Sequence, residues 1–347
     1  MSKIRILSLD GGGIRGIMPG TILTYLEDKI KQETGRDNAS IGEYFDLIAG
    51  TSTGGILACV YLTPNDLGNY AWSAKQALDI YLEYGDDIFD VTFRQKLKSL
   101  GGIKDEKYDA KELENQLKKN LGNTKLSQLL KPCLITSYDI ERRKTKFFTS
   151  HDATEPKFDY WVRDVARATS AAPTYFEPAM VKSLSGIKNG LIDGGMFANN
   201  PTLCAYAEAR TMNFRKILNN PNKPDKPPTA KDMIIVSLGT GSQKNKYPYD
   251  DYKDAGMVKW IKPLIDIMMS GNSETVDYQL RQIFDTLEGD DKKNYYRIEP
   301  KISNGASPEM DNAEKDNLKA LHKAGQQSVK ENQAILDEIV KKLVANQ

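Results

Sequence analysis

Histidine is nearly absent: the 347 residues hold two, His151 and His322. A hydroxyl nucleophile that needs an imidazole base has only these to draw on. Cysteine is scarce too. Cys59, Cys133 and Cys204 are scattered, and an odd number without C-x-x-C spacing argues against a disulfide frame or a zinc site; reduced thiols in a cytosol are expected. Net charge is almost nil, with 48 basic and 47 acidic residues and no basic block, so no field draws the chain to a nucleic acid polymer. No apolar run approaches the roughly 18 residues of a membrane span, which leaves only peripheral membrane contact. The opening, MSKIRILSLDGGG, turns glycine-rich too early for a signal peptide.

What is present centres on residues 44–58, YFDLIAGTSTGGILA. An apolar run from Tyr44 to Ala49 enters Gly50-Thr51-Ser52-Thr53-Gly54, and a second apolar run follows. The pattern predicts a buried strand, a tight turn and a helix. It also fits the G-x-S-x-G nucleophile elbow, in which a serine sits on a strained turn. Side chains at Gly50 and Gly54 would clash with the flanking strand or helix. Ser52 would open the helix, whose positive end favours an alkoxide by roughly 0.3–2 kcal/mol. The bland alternative is an ordinary Gly/Ser/Thr loop.

Ile4 to Leu9 predicts a first buried strand, cut off by Asp10-Gly11-Gly12-Gly13. Glycines there let backbone N–H groups face an anion at close range. Gly11, Gly13 and Gly16 also satisfy G-x-G-x-x-G. A dinucleotide fold, however, needs a second strand ending in an acid about 20 residues on. The helix that follows, with Ile22, Leu23, Leu26 and Ile30 on one face and Pro19 in its first turn, runs instead into a polar turn. An oxyanion site is the better reading, because the elbow serine follows on the next strand.

Further on, Leu67 to Glu83 predicts a helix, and Gly85 to Lys107 a surface excursion or lid. Asp109 is placed to cap a helix bearing Leu113, Leu117 and Leu121. Cys133 to Tyr138 and Thr145 to Thr149 predict a hairpin. Tyr160 to Thr169 reads as a helix, Gly190 to Ile192 as a strand ending in Asp193-Gly194-Gly195, and Pro201 to Phe214 as a helix. Residues 219–232, rich in proline, read as an exposed loop. Ile234 to Leu238 is another buried strand, followed mostly by helices: Met257 to Met269, then a pair over 312–345. Strands alternating with helices argue for an α/β layered fold with a largely parallel sheet. Three strands end in glycine-rich turns, and such carboxyl ends can meet on one edge to bind a ligand.

Neither histidine lies beside an apolar strand end. Asp193 does, and two glycines after it leave room for Ser52 to approach. A carboxylate within about 2.6–3.2 Å of a hydroxyl can act as its base, and partial desolvation would raise its basicity. The other reading of Asp193 is a strand-end aspartate that caps its own turn.

Taken together, Asp10-Gly-Gly-Gly-Ile-Arg-Gly16, Gly50-Thr-Ser-Thr-Gly54 and Asp193-Gly-Gly195, in that order, resemble the patatin-like phospholipases; TSAAPTYFEP at 169–178 and SLGTG at 237–241 resemble family segments too. The resemblance implies a three-layer α/β/α patatin-like fold over residues 1–241, with a mostly helical C-terminal region, 242–347, packing on it. It implies lipid acyl hydrolysis of the phospholipase A or lysophospholipase type by a Ser-Asp dyad. Ser52 matches the nucleophile, Asp193 the base, and Gly11, Gly12 and Gly13 the oxyanion-hole glycines. Arg15 matches the family's basic position, where it either steadies the glycine loop or attracts a phosphate headgroup. No metal or cofactor is implied. The implied partner is a membrane phospholipid or lysophospholipid met at the inner membrane surface. Some bacterial enzymes of this kind are antiphage effectors switched on by cyclic oligonucleotides, which adds a cyclic nucleotide activator, and a homodimer, to the expected partners. The rival readings are a non-catalytic lipid-binding or storage protein of the same fold, and an acyltransferase.

Overall fold

A computed structural model describes residues 2–88, 110–242, 246–303 and 305–347. The lid expected over Gly85 to Lys107 and the cap expected at Asp109 lie largely or wholly outside those residues.

Eight strands form one sheet: β1 (Ile4–Leu9), β2 (Leu47–Gly50), β3 (Cys133–Asp139), β4 (Lys144–Thr149), β5 (Ala179–Lys182), β6 (Lys188–Asp193), β7 (Met233–Leu238) and β8 (Tyr295–Ile298). Their order is β5-β6-β3-β2-β1-β7-β8, with β4 paired to β3. The run from β3 through β2, β1 and β7 to β8 is parallel, whereas β4, β5 and β6 pair antiparallel. The helices that matter below are α1 (Ile17–Thr34), α2 (Thr53–Leu62), α3 (Ala74–Ile88), α4 (Lys111–Leu121), α5 (Val162–Thr169), α6 (Thr202–Ala209), α7 (Met257–Asp285), α8 (Lys315–Glu331) and α9 (Gln333–Ala345).

The central strands are apolar on both faces, because helices cover both. In β1, Leu7 and Leu9 pack into a core with residues of α1, α2, α4, α5 and α9. Ile4 and Ile6 point the other way, into a second core with α6 and α7. Strand alternation thus splits one hexapeptide between two cores and makes three layers. Residues beyond 241 add β8 to the same sheet and lay α8 along α1. No helix among the described residues is long and apolar enough to cross a membrane.

Three expectations shift. The helix expected from Leu67 starts at Ala74, because the Asn65 side chain accepts the N–H groups of Leu67 and Asn69 and holds a turn instead. The helix expected from Pro201 to Phe214 stops at Ala209, and Asn213 caps a separate turn by accepting the Lys216 N–H. The loop 219–232 is not simply exposed. Lys223 is fully buried and bonds Asp46 at 2.7 Å, which Arg5 also pairs at 2.9 Å. Burial alone would raise the Asp46 carboxyl, yet the two cations hold it below its usual range.

Candidate active site

Two strand ends set the geometry. On β3, Ile135 pairs with Gly50 of β2 and with Phe148 of β4; Ser137 pairs with Asp193 of β6 and with Lys146 of β4. A strand has two edges, so β2 and β6 share the edge opposite β4. One runs parallel to β3 and the other antiparallel, so their carboxyl ends face each other, two β3 residues apart. That separation is about 7 Å along the strand. The turn after Gly50 and the side chain of Asp193 are thereby brought together. The strand that carries Asp193 is antiparallel to β3 within the mainly parallel sheet.

Ser52 sits in the turn at φ 54° and ψ −123°, a left-handed backbone that L residues avoid and that stores strain. A Cβ on Gly50 would lie 2.3 Å from the carbonyl oxygen of Gly54, and one on Gly54 2.2 Å from that of Leu9. Only glycine fits either place. The Ser52 N–H donates to Thr169 Oγ1 at 2.8 Å, and Thr51 Oγ1 donates to the Ala198 carbonyl at 2.6 Å, which pin the turn from both sides. Helix α2 begins at the next residue.

Asp193 is 5% exposed and Ser52 7%. Burial pushes the Asp193 carboxyl up to about 6, against the neighbouring Ser52 hydroxyl and a hydrogen bond from the Gly195 N–H at 2.7 Å. Both favour the ionised form, and desolvation outweighs them. The carboxylate therefore caps its own turn with Ser52 close by.

In the glycine loop, Gly11 departs from expectation. Its N–H donates to the Asn199 carbonyl at 3.0 Å, so that amide is already spent. The N–H groups of Gly12, Gly13 and Thr53 make no hydrogen bond among the described residues, and all three residues line the same cavity as Ser52 and Asp193. Gly13 has φ 58°, and a Cβ there would sit 2.1 Å from the Met310 carbonyl. That cavity comprises about 1170 Å³ of empty space, part of it open to solvent. Away from Ser52 it is walled by Ile56, Val60, Ile80, Leu113, Leu117, Phe176, Ile265 and Met269, which suits a hydrocarbon chain.

The model of the family described as patatin-like phospholipase matches residues 7–206. Patatin-like protein 1 of Arabidopsis thaliana is 36% identical over 94% of this chain and 81% of its own length. Patatin-like protein 2 of the same plant is 36% identical over 99% and 84%, and patatin group D-2 of Solanum tuberosum 31% over 94% and 84%. The chain belongs to the patatin-like phospholipase family. That family consists, in general, of lipid acyl hydrolases, and the mainly parallel, helix-flanked sheet fits its α/β fold.

In this patatin-like phospholipase, Arg15 does not line the cavity of Ser52. Its Nε donates to the Gly12 carbonyl at 3.3 Å and its Nη1 to that of Gly241 at 3.4 Å, so it braces the glycine loop. It faces a second, more polar cavity instead. Both histidines are elsewhere: His151 Nε2 meets Glu208 at 2.9 Å, and His322 Nδ1 meets Thr21 at 3.1 Å. Tyr175, Phe176 and Met269 line the cavity of Ser52, while Tyr44 and Phe45 are core.

Several residues around the site escaped sequence reasoning. Asp10 forms a two-point ion pair with Arg297 of β8, at 2.7 and 2.9 Å, and Arg297 also bonds Glu299. Thr240 Oγ1 donates to the Gly11 carbonyl at 2.7 Å, which gives the SLGTG segment a task. Asn199 Oδ1 is buried and has no hydrogen-bond partner among the described residues. The one available signal was the run Asn199-Asn200-Pro201, two amides directly after a buried strand and its turn.

Proposed function

We propose that the chain is a serine-dependent lipid acyl hydrolase of the phospholipase A or lysophospholipase type. Ser52 Oγ attacks the ester carbonyl and gives its proton to Asp193. The amides of Gly12, Gly13 and Thr53 hold the oxyanion, each such donor contributing on the order of 2.7–4 kcal/mol. The departing alcohol takes the proton from Asp193. Water then attacks the acyl-serine, losing its proton to Asp193; the bond from the acyl carbon to Ser52 Oγ breaks, Oγ takes that proton back, and the fatty acid leaves. An alcohol in place of that water would make the same site an acyltransferase.

The observation that carries this reading is a buried carboxylate pushed up to about 6, with the Ser52 hydroxyl among its neighbours, both on the lining of an apolar cavity. A base ionised just below neutral pH suits proton abstraction at pH 7. Helix α7 supports contact with a lipid surface: Met257, Ile261, Leu264 and Met268 are exposed along it, while Ile265 and Met269 turn into the acyl cavity. A cyclic-nucleotide activator draws no support from the second cavity, whose lining holds more carboxylates than guanidiniums.

The test is twofold. A fluorophosphonate probe should label Ser52, and labelling should abolish release of fatty acid from phospholipid micelles. Hydrolysis that survives Ser52→Ala in a folded protein would remove the serine mechanism. A chain that takes no label and releases no fatty acid would be a lipid-binding protein.

A further inference from the structure

The second cavity, about 2630 Å³ of empty space that is partly open to solvent, shares Tyr175, Ile265, Met269 and Met310 with the acyl cavity, so the two adjoin. Its chemistry is different. Six carboxylates line it, those of Asp10, Asp266, Glu274, Asp277, Glu299 and Glu309, against three guanidiniums. Two of the three cations already have acid partners. Arg297 is paired with Asp10 and Glu299, and Arg281 Nε meets Asp277 at 3.0 Å. Arg15 bonds backbone carbonyls, so its charge is offset by no acid in direct contact among the described residues. It stands at the end of the cavity nearest the glycine loop.

The opposite wall is the acidic face of α7. Asp266, Glu274 and Asp277 fall at positions i, i+8 and i+11, which share one side of a helix. Asp266 accepts the Tyr247 phenol at 2.7 Å, and the Tyr247 ring packs edge-on to Tyr252 at 5.4 Å. An acid beside an aromatic ring suits an ammonium group. Asn199, 6% exposed, stands between this cavity and the glycine loop: its Nδ2 donates to Ser273 Oγ at 3.1 Å, and its Oδ1, which accepts no hydrogen bond among the described residues, faces Gly11, where a Cβ would sit 2.5 Å from it.

We propose that the second cavity is a headgroup subsite for zwitterionic glycerophospholipids, with the phosphate at Arg15 and the ammonium at Asp266, Glu274 and Tyr247, and that it rejects headgroups of net negative charge. The order of the charges follows the lipid. The phosphate lies close to the ester, as Arg15 lies close to the glycine loop, and the ammonium lies farther out. This inference rests on the reading of Ser52 as the nucleophile, so its test has one arm that needs no turnover.

In that arm, glycerophosphocholine and glycerol 3-phosphate are titrated into the full chain by calorimetry at about 0.15 M salt, where surface fields are largely screened. The choline compound should bind and the bare phosphate should not. In the second arm, phosphatidylcholine, phosphatidylethanolamine, phosphatidylglycerol and phosphatidic acid with identical acyl chains are presented in neutral detergent micelles. The first two should exceed the last two in kcat/KM by at least ~10-fold, the scale on which like-charge juxtaposition discriminates. Asp266→Asn and Glu274→Gln should each lower that ratio about 3-fold or more, through loss of one carboxylate charge. If Asp266→Asn fails to fold, Glu274→Gln alone decides. Binding of glycerophosphocholine without hydrolysis of any lipid would retain the subsite and discard the hydrolase. Equal or tighter binding of glycerol 3-phosphate, an anionic lipid turned over as fast as its choline counterpart, or ratios unmoved by Glu274→Gln would overturn the inference.

Discussion

Replacing Asp193 by asparagine should disable the protein and stabilise it at once. The Asp193 carboxyl is pushed up to about 6 in the fold, mainly by burial, against 3.8 for an unperturbed side chain. At about 1.4 kcal/mol for each tenfold change in proton affinity, ionising this group costs the folded state about 3 kcal/mol. The sign follows from proton binding. Between pH 4 and 6 the folded chain binds the proton and the unfolded chain does not, so the contribution is fully present below pH 4 and is lost as pH rises through 6. Asparagine carries no charge at any pH. Asp193→Asn should therefore match the parent in stability near pH 4 and exceed it by up to about 3 kcal/mol at pH 8. With an unfolding entropy of about 2.1 cal/mol/K per residue, that is a rise of about 4 °C in Tm. The assay is thermal unfolding of both proteins at pH 4.5, 6 and 8, with ester hydrolysis alongside. Parent kcat/KM should fall about tenfold per pH unit below 6, and the variant should lose roughly 10³-fold or more at pH 8. A variant no more stable at pH 8 than the parent, or a parent rate constant down to pH 4.5, would refute the reasoning.

Relief of backbone strain should act in the same direction at the neighbouring residue. Ser52→Gly, at φ 54°, should raise stability by about 1–3 kcal/mol in denaturant unfolding while hydrolysis disappears. Gly54→Ala should do the reverse, because its Cβ would meet the Leu9 carbonyl at 2.2 Å; a loss of several kcal/mol, or no soluble protein, is expected on expression. Leu264→Asp, on the exposed face of α7, should weaken sedimentation with phospholipid vesicles about tenfold, with little change in cleavage of a water-soluble short-chain ester.

The parts of this fold that sequence reasoning reaches are those written locally. β1, β2, β6 and β7 each end in a glycine-rich turn, and hydrophobic runs followed by glycine mark them without knowledge of neighbours. The elbow is legible for the same reason, since Gly50 and Gly54 answer clashes within the strand–turn–helix and against β1. What escapes is long-range. β8 is four residues, YYRI, between a charged turn and Pro300, and only its pairing with β7 makes it a strand. β5 is just as short and is defined by β6. Arg297 finds Asp10 at a separation of 287 residues, and no spacing rule announces that pair. Likewise, no residue type marks the Gly11 amide as taken by Asn199 while those of Gly12 and Gly13 stay open.

The shared edge of β3 has a consequence for biosynthesis. Ser52 lies on a segment complete within the first quarter of the chain, whereas Asp193, the base proposed for it, arrives only when β6 docks against Ser137. On the proposed mechanism, a ribosome-bound fragment ending before residue 193 lacks the carboxylate that deprotonates the hydroxyl. A protein built to cut lipids would then be harmless to the cell's own membranes through more than half of its synthesis, armed by a late pairing and not by a separate inhibitor.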